Sequence, residues 1–91
     1  MSTKQPFPLG HVVATPGANE MFGGKFMATC LERHAAGDWG ELPPEDRAAN
    51  DDALKHGDRL FSSYKHRSKG ELWIITEADR SVTTALLPED Y

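Results

Sequence analysis

The sequence predicts an α+β domain: a three-stranded antiparallel meander plus a short N-terminal strand, packed with two or three short helices. Three observations lead to this fold class. Alternating apolar residues crowd into residues 60–87, helical spacing bounded by glycine and proline fills residues 16–56, and 91 residues leave room for one domain. Apolar residues make up 38% of the chain, which is enough for a small core.

The chain opens with a polar stretch, residues 1–9, in which Pro6 and Pro8 indicate a flexible arm. A single domain is therefore expected over residues 10–91. Its first element is His11–Ala14, a short β-branched run that is typical of a strand.

Two helices are predicted next. Thr15 followed by Pro16 indicates a helix start, because threonine caps free backbone N–H groups and proline fits the first turn. Gly23-Gly24 interrupts that helix. Apolar residues at spacings of one, three and four then predict a second helix over residues 25–35, which Gly37 ends.

A third helix is predicted from Pro43-Pro44 to about His56, where Gly57 ends it. Its apolar face is thin, so it is expected at the surface.

The meander follows at residues 60–66, 71–77 and 82–86, with a hairpin turn at residues 67–70. The strand over residues 71–77 carries apolar side chains on both faces, which favours a central position. We therefore expect Trp73 to be largely buried.

Charge and cysteine content exclude several classes of function. The net charge of −4 argues against strong nucleic-acid binding, because that binding is driven by neutralising phosphates. One cysteine suits a reducing cytoplasm and forms no internal disulfide framework. No secretory signal or membrane-spanning stretch is visible, so a cytoplasmic location is expected. No cofactor-binding fingerprint is present, and no cofactor is predicted.

Three sequence motifs resemble a family of small bacterial proteins usually labelled plasmid-related protein, some of which carry the label type I restriction endonuclease subunit M. The motifs are the run 11–18, Arg33-His34 leading into residues 37–40, and the run 73–91. The resemblance covers nearly the whole chain after residue 9, except for residues 19–27. It implies a mobile genetic element as the setting. A restriction-modification subunit is excluded, because 91 residues cannot hold a methyltransferase domain.

Two segments are candidate binding surfaces. The turn after residue 76 packs Glu77, Asp79, Arg80 and Ser81 into five residues, which is more charge than a hairpin turn needs. These side chains could bind a partner, a divalent cation or an anion, or they could only shape the turn. The second segment, Asp38-Trp39, lies between glycines. It could present an aromatic interface anchor or close the core.

Cys30 and His34 lie four residues apart on one helical face, a spacing that suits a metal ligand pair or a buried pair with no ligand. Two ligands do not make a site, so no metal is predicted. The segment 38–52 holds six carboxylates against one arginine, and could imitate a phosphate run or be a solvated surface.

These observations favour a non-catalytic protein-interaction module of a mobile element, which binds a host or element protein. A homodimer is a further option, because a core this small would gain stability from dimerisation. The module's predicted binding residues are Asp38, Trp39, Glu77, Asp79, Arg80 and Ser81. One alternative is an acidic decoy that inhibits a host defence system. The other is a small metal-assisted enzyme that uses His34, Asp38, Glu77 and Asp79.

Overall fold

A computed structural model describes residues 7–91. The predicted α+β class and its meander are confirmed. In chain order the elements are β1 (His11–Ala14), α1 (Pro16–Phe22), α2 (Lys25–Ala35), α3 (Pro44–His56), β2 (Leu60–His66), β3 (Gly70–Thr76), β4 (Val82–Leu86) and a final 3₁₀ turn (Pro88–Asp90).

The four strands form one mixed sheet in the order β1-β4-β3-β2. The antiparallel meander β2-β3-β4 is the one predicted, and β3 is central. The short N-terminal strand β1 joins the far edge in parallel with β4, so that His11 lies opposite Val82. The sequence patterns did not indicate this parallel pairing, because they carry no information on which strand an isolated N-terminal segment joins.

Local capping chemistry sets the helix boundaries where the sequence predicted them. The Thr15 hydroxyl accepts a hydrogen bond from the Ala18 N–H at 3.2 Å, which caps α1. Gly37 adopts φ 84° directly after α2, and Gly57 adopts φ 75° after α3. These left-handed conformations favour glycine, since it has no Cβ, and they end both helices.

The first of the two sheet faces, which we call the inner face, packs on the helices. Its side chains are fully buried: Leu60, Ser62, Tyr64, Leu72, Ile74, Thr76, Thr83 and Ala85 are each 0% exposed. Ala18, Phe22, Met27 and Cys30 cover its central part from α1 and α2. A second apolar cluster joins Trp39, Leu42 and Ala53 to Leu60.

The opposite face, which we call the open face, carries Phe61, Trp73, Ile75, Thr84 and Leu86 at alternate positions of the meander. Trp73, Ile75 and Leu86 belong to neither of the helix-containing core clusters. Trp73 is partly exposed, but most of its surface is buried, which agrees with the expectation. The apolar pattern on both faces placed β3 correctly at the centre. On the open face Ile75 and Leu86 are 5% and 6% exposed, although α1 and α2 pack on the other side of the sheet.

Residues 7–9, which the sequence analysis assigned to the flexible arm, pack on the domain. Phe7 is 5% exposed and lies between the rings of His34 and Trp39. The carbonyl of Leu9 accepts a hydrogen bond from the Thr83 hydroxyl at 2.7 Å. Because residues 1–9 are mostly polar and contain two prolines, the sequence did not indicate that Phe7 and Leu9 pack on the domain. The rest of the predicted arm, residues 1–6, lies outside the described residues.

Within residues 7–91, no helix combines the length and the apolar character that crossing a membrane would require.

Candidate functional site

The turn between β3 and β4 is shaped by its own side chains. One carboxylate oxygen of Asp79 accepts hydrogen bonds from the Ser81 N–H at 3.0 Å and the Ser81 hydroxyl at 2.6 Å. These bonds hold the pKa of Asp79 below its usual value. Arg80 adopts φ 63°, the left-handed conformation that a residue with a side chain rarely takes.

The Arg80 guanidinium ties this turn to the end of α3. It donates hydrogen bonds to four backbone carbonyls: Asp58 at 2.6 Å, Glu77 at 3.1 Å, and Ala78 and Ala53 at 3.3 Å. A cation at a helix C-terminus satisfies carbonyls that have no partner inside the helix. Arg80 therefore has a structural task in addition to any binding role.

The predicted Asp38-Trp39 segment is also engaged within the domain. Asp38 accepts two hydrogen bonds from Arg33, at 2.7 and 3.3 Å, which lowers the pKa of this carboxyl. Trp39 is 5% exposed, and its indole N–H donates to Asp51 at 3.2 Å. The ring closes the core and is not presented to solvent.

Phe7 contacts one residue of each predicted binding segment. Its ring stacks on Trp39 with centroids 6.2 Å apart, and the Arg80 guanidinium carbon lies 5.7 Å from its centroid. The Glu77 carboxylate pairs with Arg59 at 3.8 Å. Among residues 7–91, no three metal-binding side chains gather at one point, so His34, Asp38, Glu77 and Asp79 do not form a common centre there.

A buried chain of hydrogen bonds crosses the inner face at His34. Its Nδ1 pairs with the Ser62 hydroxyl and its Nε2 with the Thr76 hydroxyl at 2.9 Å, which in turn pairs with Thr83 at 2.7 Å. Thr83 donates its proton to the Leu9 carbonyl. Because each hydroxyl has one proton, Thr76 must donate to Thr83, and His34 must donate from Nε2.

Burial, with the charge of Arg80 acting in the same direction, lowers the pKa of His34 to about 4. The ring is therefore neutral near pH 7, and since Nε2 carries the proton, Nδ1 accepts from Ser62. Both ring nitrogens are occupied, so the pair Cys30–His34 does not present a histidine ligand to solvent. The Cys30 thiol is 1% exposed and burial raises its pKa to about 11, which leaves it unreactive.

The open face contains a groove that the sequence analysis did not identify. Its volume is about 320 Å³, and it is lined by Arg59, Phe61, Trp73, Ile75 and Tyr91. We call it the aromatic groove. The Phe61 and Trp73 rings meet edge to face, with centroids 5.0 Å apart, and the Trp73 and Tyr91 rings do so at 5.9 Å. Such contacts fix the ring orientations.

Three chain segments build the groove. Phe61 and Trp73 project from neighbouring strands, and the 3₁₀ turn after β4 folds Tyr91 against Trp73. Tyr91 is 70% exposed, so one wall of the groove stands in solvent. Arg59 lies over this ring, with its guanidinium carbon 5.6 Å from the ring centroid, and donates to its hydroxyl at 3.2 Å.

One signal in the sequence could have indicated the groove. The strand 71–77 has apolar residues on both faces, whereas the three predicted helices carry enough apolar surface to cover one face only. An apolar strand face with no layer available to cover it is a candidate interaction surface. No local sequence pattern indicated that Tyr91 lines the groove, because its position depends on the path of the chain after Pro88.

The chain was compared with protein families, curated proteins and solved structures, and none of them matches it. The functional interpretation therefore rests on the site geometry.

Proposed function

We propose that this protein is a non-catalytic interaction module that binds a protein partner through the aromatic groove. The observation that carries the proposal is a groove in which the rings of Phe61, Trp73 and Tyr91 meet, on the sheet face opposite α1 and α2. Tryptophan, tyrosine and arginine are the residues most enriched at the energetic centres of interfaces, and this groove combines all three.

The lining of the groove favours binding over catalysis. It offers aromatic rings, one isoleucine and one guanidinium, with no nucleophile and no acid–base pair among the five residues. The buried His34 network has a base and hydroxyls, but its members are 0% exposed and bonded to one another. A substrate would have to displace the Phe7 ring to reach it.

The setting we propose is the cytoplasm of a bacterium that carries a mobile genetic element, with a host or element protein as the partner. This part rests on the resemblance of residues 11–18, 33–40 and 73–91 to plasmid-related proteins, together with the single cysteine.

An acidic decoy is the second candidate, and exposure on α3 supports it. Glu45, Asp46 and Asp52 are exposed. Other carboxylates of the same segment are used within the domain: Asp38 binds Arg33, Glu41 accepts from the Lys65 N–H, and Asp51 accepts from Trp39. Of these three, only Asp38 is neutralised by a cation within residues 7–91, whereas Glu41 and Asp51 are exposed and accept from neutral donors, so the segment stays acidic.

Affinity capture from the native host, with the protein expressed at its natural level, tests both candidates. Because Tyr91 is 70% exposed, we expect Tyr91→Ala to change the free energy of unfolding by less than ~0.5 kcal/mol. The amount of partner captured by Tyr91→Ala should nonetheless fall about tenfold or more, as expected when an interface anchor is lost.

Two matched variants interpret this result. Met21→Ala removes another exposed apolar side chain, 38% exposed on α1, and should leave capture unchanged. The double variant Asp46→Asn, Asp52→Asn removes two negative charges from α3. If this double variant fails to capture the partner while Tyr91→Ala captures it fully, the acidic surface and not the groove is the binding site.

A further inference from the structure

We infer that the aromatic groove recognises a peptide segment in which an apolar side chain lies beside a carboxylate side chain. This inference rests on the proposed function and adds the chemistry of the partner. The apolar side chain would insert between the aromatic rings, and the carboxylate would bind Arg59.

The apolar half of this preference follows from the walls. Phe61, Trp73 and Ile75 form the floor and Tyr91 the exposed side, and the volume of about 320 Å³ lies at the lower end of the usual ~300–1,000 Å³ of ligand sites. A space of this size suits one or two side chains of an extended segment. The indole N–H of Trp73 is already bonded to Glu71 at 3.2 Å, so the floor offers a ligand mainly apolar contacts.

The carboxylate half follows from the guanidinium donors. Arg33 is committed to Asp38, and Arg80 to backbone carbonyls. By contrast, Arg59 makes one side-chain hydrogen bond among residues 7–91, to the Tyr91 hydroxyl. Its Nε also forms an ion pair with Glu77 at 3.8 Å, which is too long for a hydrogen bond and, as an exposed pair, contributes little.

Most of the five N–H donors of Arg59 therefore remain for a ligand, on a side chain that is 49% exposed. A guanidinium presents these donors as a planar fork, and a carboxylate accepts two of them in parallel. Arg59 lies at the groove wall, so an acidic residue next to the inserted side chain would reach it.

Two other occupants fit the charges less well. A cationic group would meet the Arg59 guanidinium, which already lies over the Tyr91 ring where a bound cation would stack. A single nucleic-acid strand could stack on the rings, but its affinity depends on neutralising several phosphates, and Arg59 is the one cation among the five lining residues of a protein with a net charge of −4.

Selection from a random-peptide library displayed on phage, against the intact folded protein, tests the inference. The expected consensus is an aromatic or large aliphatic residue next to Asp or Glu. Arg59→Gln should weaken a selected peptide about tenfold, and Arg59→Lys should recover only part of this loss because lysine lacks the fork. Arg67→Gln removes an exposed arginine of the hairpin turn and should bind like the wild type.

A double-mutant cycle then links the two charges. Changing the peptide carboxylate to its amide should lower the affinity for the wild type about tenfold. The affinity for Arg59→Gln should hardly change, because the pair is already broken in that variant. A cooperative thermal melt of each variant shows that the fold is retained.

The outcomes separate the inference from the proposed function. Peptides that lose binding in Tyr91→Ala, but show no acidic preference and no response to Arg59→Gln, overturn the inference and leave the groove as a protein-binding site. A basic consensus, or tighter binding of a single-stranded oligonucleotide than of any peptide, also overturns it. Failure to select any groove-dependent peptide, together with unchanged capture by Tyr91→Ala, overturns both.

Discussion

The two faces of the sheet are built from the same strands but have different surroundings. Inner-face residues such as Leu72 and Ile74 are fully buried beneath α1 and α2. Their neighbours in the chain on the open face include Trp73, which is partly exposed and packs against Phe61 and Tyr91. Apolar alternation on both faces of a strand therefore does not imply two covering layers. In this small domain it arises where one face is covered by α1 and α2 and the other carries the aromatic groove.

The largest effect that separates the faces is expected on β3. Leu72→Ala creates a cavity on the inner face and should cost ~2–5 kcal/mol of the free energy of unfolding. Trp73→Ala removes a larger side chain that is partly exposed, and should cost less than the ~3–5 kcal/mol of a fully buried tryptophan. Urea unfolding of both variants measures the difference. A greater loss for Trp73→Ala than for Leu72→Ala would show that the open face is covered as well.

The second effect is a pH dependence that belongs to the inner face alone. His34 is 0% exposed and its pKa falls from 6.5 in the unfolded chain to about 4 in the folded protein. Between these values the unfolded chain binds more protons, so stability is full above about pH 6.5 and is lost as the pH falls toward 4. The loss amounts to about 3 kcal/mol.

Chemical unfolding at a series of pH values measures this slope. His34→Asn should be less stable at neutral pH, because its shorter side chain cannot reproduce both hydrogen bonds, but its stability should vary little over the same pH range. His56→Gln, a change at an exposed helix residue, serves as the control and should keep the slope of the wild type. An unchanged slope in His34→Asn would assign the titration to other groups.

The smallest of the three effects concerns the turn between β3 and β4. Arg80→Ala removes the bonds to the carbonyls of the turn and of α3, and should cost ~1–2 kcal/mol, since hydrogen bonds to charged groups are the stronger kind. Arg80→Gly loses the same bonds but relieves the φ of 63°, so it should be more stable than Arg80→Ala by about 1 kcal/mol. Thermal melts of the two variants measure this order. Melts equal to that of the wild type would show that Arg80 is free for a partner.

Much of the fold could be predicted because its boundaries are marked locally. Thr15-Pro16, Gly37 and Gly57 mark helix ends through capping and left-handed conformations, and the apolar alternation of residues 60–66 and 82–86 marks strands. The parallel position of β1 could not be predicted, since it depends on a partner strand at the other end of the chain.

The candidate site was harder to predict for the same reason. The turn residues Glu77, Asp79, Arg80 and Ser81 were visible as a charged cluster, and their role in binding stays a prediction. The groove depends on contacts between residues far apart in the chain, such as Arg59 with Tyr91. The His34 network likewise joins α2 to Ser62 and Thr76, and no spacing rule connects these positions.

The parallel pairing of β1 with β4 has a consequence for the order of folding. His11 finds its partner only when Val82 is in place, so β1 cannot join the sheet until β4 has been synthesised. Contacts between such distant segments close a large loop, which slows folding. The strands of the meander pair with their neighbours in the chain and are expected to assemble first. β1, although it precedes them in the sequence, would then be the last to join the sheet.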